Sequence, residues 1–163
     1  MLKEVKEKFD RIAEVSAKTS KITLLRKFAD DELFLECLAF LLDTDVVTGL
    51  STKKIDKDIT LVKNQYDNIL DVFDYVKANN TGRDTDIAVV KSFCKAQGEC
   101  EEFCIQLFTK KLKVGIDVKT VNKVYGKSFI PTHEVMLASK FEGKLKEEVS
   151  MSLKLDGIRN SAL

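Results

Sequence analysis

The sequence predicts a mainly α-helical fold that changes to β-strand near its carboxyl end. Apolar residues recur at three- and four-residue spacing through residues 2–125, as they do in amphipathic helices. The 163 residues include one proline and seven glycines, so few positions interrupt the helices. Residues 148–156 instead alternate between apolar and polar, as a half-buried strand does. A chain of this length, 44% apolar, can bury one substantial core.

The first three helices follow from apolar spacing and from capping residues. Residues 2–17 place their apolar side chains on one face, which predicts an amphipathic helix. A hydroxyl at position 19 or 20 can cap a second helix that continues to Phe28. Asp30 or Asp31 can cap the third helix, residues 32–42. Its apolar residues are dense enough that we expect it to be central and mostly buried.

After an irregular connection at residues 43–51, the spacing of apolar residues predicts five further helices. Residues 79–82, Asn-Asn-Thr-Gly, would end one of them, and Gly98, Gly115 and Gly126 would end three others. We expect these five helices at residues 53–58, 60–78, 87–98, 103–115 and 118–125.

The strand at residues 148–156 places one lysine, Lys154, among small hydroxyl side chains on its polar face. Asp156-Gly157 then predicts a tight turn into a second strand, which starts at residue 158. A lysine beside such a turn suits a nucleophile or a phosphate contact. The alternative is an exposed hairpin with an ordinary Asp-Gly turn. Two strands alone are marginal in water, so we expect this end of the chain to be loosely packed.

Charge is concentrated in one segment although the net charge is only +1. Residues 1–104 carry 16 basic and 20 acidic side chains, whereas residues 105–127 carry six lysines and a single acid, Asp117. Lys119 and Lys123 lie four positions apart and share a helix face. Gly115 separates their helix from the preceding one, so backbone N–H groups and lysines can meet a phosphate at this corner. The alternative is a solvated lysine face.

The sequence start is charged and amphipathic rather than apolar, and no apolar run approaches the roughly 20 residues of a membrane span. We therefore expect a cytoplasmic protein that does not enter membranes. Four cysteines fall within predicted helices, and the single histidine, His133, is distant from them in sequence. We expect reduced, buried thiols and no metal site.

The motif Lys154-x-Asp156-Gly157-x-Arg159 resembles the first nucleotidyltransferase motif of ATP-dependent DNA ligases. Residues 111–123 resemble the end of the helical DNA-binding domain of phage-type ligases, and residues 45–54 have the character of the same domain. Ile130-Pro131 and residues 135–138 resemble the linker that follows it. These similarities occur in the family's order along most of the chain.

The resemblance implies an all-α DNA-binding domain at residues 1–128, a linker at 129–144 and the first β-strands of an adenylation domain at 145–163. It implies that Lys154 attacks ATP and becomes a lysyl-AMP, that Arg159 contacts the nucleotide, and that the complete enzyme uses Mg²⁺. The substrate would be nicked duplex DNA. The DNA contacts would be Lys110, Lys111, Lys113, Lys119, Thr120, Asn122, Lys123 and Lys127.

Two departures from the family pattern and two alternatives accompany this interpretation. Many ligases place Glu or Gln shortly before the lysine, where this chain has Met151 and Ser152. The later ligase motifs would lie beyond Leu163, so we expect the chain alone not to ligate. One alternative is a natural subunit of a split ligase, completed by a second chain. The other is a helical DNA-binding or adaptor module without catalysis. A phage-encoded ligase would work in the host cytoplasm.

Overall fold

The computed structural model describes residues 1–132, of which 61% are helical. Apolar residues at helical spacing form the buried face of each longer helix. The helices are α1 Leu2–Glu14, α2 Lys18–Lys27, α3 Glu32–Leu42, α4 Thr52–Ile55, α5 Ile69–Ala78, α6 Asp84–Ala96, α7 Glu101–Phe108 and α8 Val118–Tyr125, with a 3-10 turn at Gly98–Cys100. None of the helices within these residues is long and apolar enough to cross a membrane.

Helix α3 lies at the centre of the core, as its apolar sequence predicts. Phe34 packs against Phe9 of α1, with ring centroids 5.0 Å apart. Phe40, two turns further along α3, stacks on Phe73 of α5 at 3.9 Å, with the ring planes 8° apart. Phe108 of α7 meets Phe73 edge-on. These contacts join four helices around one aromatic cluster, and truncating one of its rings would cost about 3–5 kcal/mol.

Capping side chains set the starts of several helices. Asp31 accepts a hydrogen bond from the Phe34 N–H, which confirms the predicted start of α3. Asp117 begins α8 by accepting from the Thr120 N–H, and the predicted bounds of α8 are confirmed. Helix α2 instead begins after Ala17, without a side-chain cap. A hydroxyl cap at position 19 or 20 was therefore a wrong prediction.

The predicted helix at residues 60–78 is wrong in its first half. Helix α5 begins only after Asn68, whose side chain accepts from the Leu70 N–H. Asn64 forms a local turn through hydrogen bonds with the backbone of Tyr66. Leu61 and Val62 are exposed, so an apolar face does not continue upstream of the cap. Local side-chain to backbone hydrogen bonds therefore override the helical spacing here.

The predicted mixed fold class, helices followed by β-strands of an adenylation domain, is corrected by the structure. Residues 1–132 contain helices, turns and irregular connections but no strand. The strands predicted for residues 145–163 lie outside the described residues. Met1–Thr132 forms a unit by itself, and the predicted linker, residues 129–144, begins inside that unit. The described protein is therefore all-α.

Candidate nucleic-acid interface

The candidate site is residues 110–127, called here the basic segment. Lys154 and Arg159, the predicted nucleophile and nucleotide contact, lie outside the described residues. It runs from the end of α7, through an irregular connection, to the residue after Gly126 that follows α8. Each of its eight predicted DNA contacts has a defined position in the structure.

Helix α7 ends in a left-handed turn occupied by a lysine. Lys110 has φ of 55°, a conformation that glycine usually supplies at this position. The Lys111 N–H donates to the Gln106 carbonyl at 2.8 Å, and the Lys110 N–H donates to the Leu107 carbonyl at 3.1 Å. This pair of bonds is a Schellman motif, which satisfies the last carbonyls of the helix. The chain therefore reverses at Lys110 and leaves α7 sharply.

The Lys110 side chain lies against the protein rather than in solvent. Its ammonium donates to the Asp43 carbonyl and sits 5.5 Å from the centroid of the Phe40 ring. Burial lowers the pKa of Lys110, and the nearby Asp43 and Asp45 carboxylates oppose that shift. Through these contacts the Lys110 amine anchors the start of the basic segment to the end of α3. Lys110 is thus a less available phosphate contact than the other lysines of the segment.

The connection before α8 is braced by a lysine from α2. Lys21 is only 8% exposed, and its ammonium donates to the Val114 carbonyl at 2.8 Å and the Gly115 carbonyl at 3.0 Å. Gly115 has φ of 67°, and a Cβ built there would lie 2.6 Å from the Lys21 amine. Lys21 was not among the predicted site residues, because it lies more than 90 positions before Val114 and Gly115 in the sequence.

Thr120 and Asn122, two predicted DNA contacts, point into the protein. Thr120 is 4% exposed, on the inner face of α8 beside the fully buried Val121. The Asn122 amide donates to the Ile130 carbonyl at 2.9 Å and accepts from the Ile130 N–H at 2.9 Å. It also reaches the Lys127 carbonyl at 3.3 Å. Asn122 therefore ties the end of the described chain to α8, and we leave both side chains out of the proposed interface.

A tyrosine of α8 adds a second tie to α2. The Tyr125 hydroxyl donates to the Leu25 carbonyl at 2.6 Å, and its ring packs on Phe129 with centroids 5.0 Å apart. Burial raises the pKa of Tyr125 to about 12, so the hydroxyl remains a donor at neutral pH. With Lys21, this bond fixes α8 relative to α2 from both of its ends. The lysines on the outer face of α8 are therefore presented by a braced helix.

Five of the eight predicted contacts are exposed lysines. Within residues 1–132 none of the five forms an ion pair or a side-chain hydrogen bond. Two lie in the connection before α8, two share the outer face of α8, and one follows it: Lys111, Lys113, Lys119, Lys123 and Lys127. Such unpaired ammonium groups can contact phosphates without first breaking an internal bond.

Two cavities border the basic segment. One, of about 450 Å³, lies between α1, α7 and the connection, and Lys111 and Lys113 are at its edge. The other, of about 350 Å³, lies between the starts of α2 and α8 and is lined by Lys18, Lys21 and Asp117 among others. No group of three or more potential metal ligands occurs in the described chain. The charged side chains that the basic segment exposes are the five lysines and Asp117.

No protein family, curated protein or solved structure matches this chain. The geometry defines a braced helical corner with a cationic outer face.

Proposed function

We propose that this chain belongs to an ATP-dependent DNA ligase, in which the helical unit binds the duplex backbone and Lys154 accepts AMP from ATP. The ordered resemblance around Lys154-x-Asp156-Gly157-x-Arg159 and along residues 111–123 supports the ligase assignment. The single observation that carries the DNA-binding part is the set of five exposed, unpaired lysines on the basic segment. The substrate is a nicked duplex.

The contacts of this surface are with phosphates rather than with bases. Lysine ammonium groups neutralise phosphates and release counterions, which gives affinity without sequence preference. The amide of Asn122, which could read an adenine edge, is already bonded to Ile130. A ligase joins nicks in any sequence context, so a surface that contacts only the backbone suits the reaction.

Reversing two lysines of α8 tests the DNA-binding surface. In the double variant Lys119→Glu and Lys123→Glu, we expect affinity for a nicked duplex to fall at least about tenfold, because two phosphate contacts become repulsive. Five contacts predict a slope of log K against log salt near −4.5, and losing two reduces it to about −2.7. Fluorescence anisotropy across a salt series measures both quantities.

The matched control is Lys63→Glu with Lys95→Glu, since both lysines are exposed and unpaired in the described chain and neither belongs to the basic segment. It changes net charge by the same amount, so only a positional effect separates the two double variants. Circular dichroism verifies that helicity is kept. Equal loss of affinity in both would mean that net charge, and not this surface, binds DNA.

The nucleophile is tested by intact mass. In the proposed chemistry the neutral Lys154 amine attacks the α-phosphate of ATP, a P–N bond forms as the bond to the leaving pyrophosphate breaks, and the amine proton passes to solvent. Bound Mg²⁺ would neutralise the phosphate charge. The chain is incubated with ATP and Mg²⁺, with and without a second polypeptide that supplies later ligase motifs. We expect a mass increase of one AMP that is absent in Lys154→Ala. DNA binding without any adduct, even with the second polypeptide, would favour the non-catalytic adaptor.

A further inference from the structure

Asp117 is the single acidic side chain of residues 105–127, and the structure fixes it at the start of α8. Its carboxylate accepts from the Thr120 N–H at 2.7 Å. This bond closes the first turn of the helix and occupies one of the backbone N–H donors that an incoming phosphate could use. The side chain is nevertheless exposed, so its charge faces the same solvent as Lys119, two residues along the chain.

The surroundings keep this carboxylate ionised. The hydrogen bond from Thr120 is the main cause that lowers the pKa of Asp117, and the positive charge of Lys18 on α2 adds to it. Asp117 and Lys18 line the same cavity between the starts of the two helices. Within residues 1–132 Asp117 forms no ion pair, so its negative charge is not neutralised by a direct cationic contact.

We propose that Asp117 limits the affinity of the basic segment for DNA by repelling phosphates from the start of α8. This inference rests on the proposed function and deepens it. An exposed helix amino terminus normally attracts phosphate through its N–H groups and its dipole. At α8 the carboxylate cancels that attraction, so the backbone is bound by the lysines on either side.

The consequence is weak, reversible binding. A duplex whose nick has been sealed leaves the surface faster when one of the groups facing it is repulsive. The negative charge and the capping bond are separate properties of this side chain, and the proposed repulsion comes from the charge. Serine and asparagine also cap helices well, so the charge can be removed while the cap is kept.

The experiment compares Asp117→Asn and Asp117→Ser with the native full chain, using a fluorescein-labelled nicked duplex. At about 50 mM salt we expect both variants to bind roughly three- to tenfold more tightly, with the gain shrinking at about 200 mM as the charge is screened. Both should retain native thermal unfolding. Stopped-flow dissociation from the duplex should slow by a similar factor.

The control is Asp71→Asn, which removes one exposed carboxylate from the first turn of α5, away from the basic segment. Its affinity should equal the native value. Unchanged affinity in both Asp117 variants, or the same gain in Asp71→Asn, would overturn the inference while the native chain still binds DNA. A gain in the asparagine variant alone would also overturn it, because an added amide contact would then be the cause. If the native chain does not bind duplex at all, the proposed function itself fails, and the inference with it.

Discussion

At the scale of single residues, Asp86 shows how the chain tolerates a buried charge. It is 2% exposed, and its carboxylate accepts from the Tyr75 hydroxyl at 3.0 Å and the Arg83 Nε at 3.1 Å. The Thr81 hydroxyl approaches it at 3.4 Å. Burial pushes the pKa of Asp86 upward, but the bonds from Arg83 and Tyr75 outweigh it and set the pKa below its ordinary value. The network fixes the turn before α6.

Asp86→Asn should therefore destabilise the fold in a pH-dependent way. We expect a loss of about 1–3 kcal/mol at pH 7, because a charged acceptor bonded to several donors is replaced by a neutral one. The folded pKa is depressed, so this contribution is present above the unfolded pKa of about 4 and is lost as pH falls through the folded value. Urea unfolding of both proteins between pH 7 and about 3 measures the difference, which should shrink towards the acid end.

Asp71→Asn is the matched comparison for the pH series, since Asp71 is exposed and forms no ion pair in the described chain. Its stability difference from the native protein should be small and flat with pH. A flat difference for Asp86→Asn as well would show that the bonds from Arg83 and Tyr75 do not depend on the charge of the carboxylate.

At the scale of elements, the placement of α8 depends on a contact between α2 and a left-handed glycine. Lys21 donates to two successive carbonyls, Val114 and Gly115, and so bonds the connection directly to α2. A side chain on Gly115 would collide with that amine and would also strain the backbone. Gly98 has a similar φ of 55° but has open space around it. A side chain at Gly98 would strain the backbone without a collision, so this position measures the backbone strain by itself.

Gly115→Ala should therefore cost more than Gly98→Ala. Both pay about 1–2 kcal/mol for the left-handed backbone, and Gly115→Ala should lose about 1 kcal/mol more because the Lys21 amine is displaced from its carbonyls. In a Lys21→Met background the two glycine variants should become equal. Urea unfolding of the single and double variants gives this cycle, and a difference that survives Lys21→Met would show that Lys21 is not its cause.

Local sequence signals predicted the elements better than the contacts between them. The cap Asp31 and the bounds of α3 and α8 follow from side chains within three or four positions, and they are confirmed. The start of α5 was missed because Asn68 caps it inside a run with helical spacing. The residues next to Lys21 in the sequence do not predict its bonds to the connection before α8, because Val114 and Gly115 come close to it only in the folded protein.

The same limit applies to the candidate site. The concentration of lysine in the basic segment is visible in the sequence, but which side chains face outward depends on packing. Thr120 and Asn122 were predicted to contact phosphates, but in the structure both side chains lie on the buried face of α8. Lys110 reads as an ordinary surface lysine, although its backbone occupies a position usually given to glycine. The orientation of these three side chains could not be predicted from the neighbouring sequence alone.

At the scale of the whole described unit, local charge balance distinguishes the basic segment from the rest. Six basic side chains outside it pair with carboxylates: Lys3, Lys6, Lys8, Lys57, Lys77 and Arg83. The segment itself has no such pair within residues 1–132. Because residues 1–104 are net acidic, a polyanion would be repelled by them and attracted to the basic segment. The proposed binding is thus directed by charge placement rather than by total charge.

All four cysteines of this chain are buried, and burial raises the pKa of Cys37 and Cys100. A thiol reagent reaches such groups only when the surrounding helices separate, and it reacts only with the deprotonated form. The rate at which these thiols become labelled therefore reports how often the interior opens. The four cysteines can therefore serve as reporters of internal opening. A bound duplex that tightens the packing would lower the labelling rate of all four thiols.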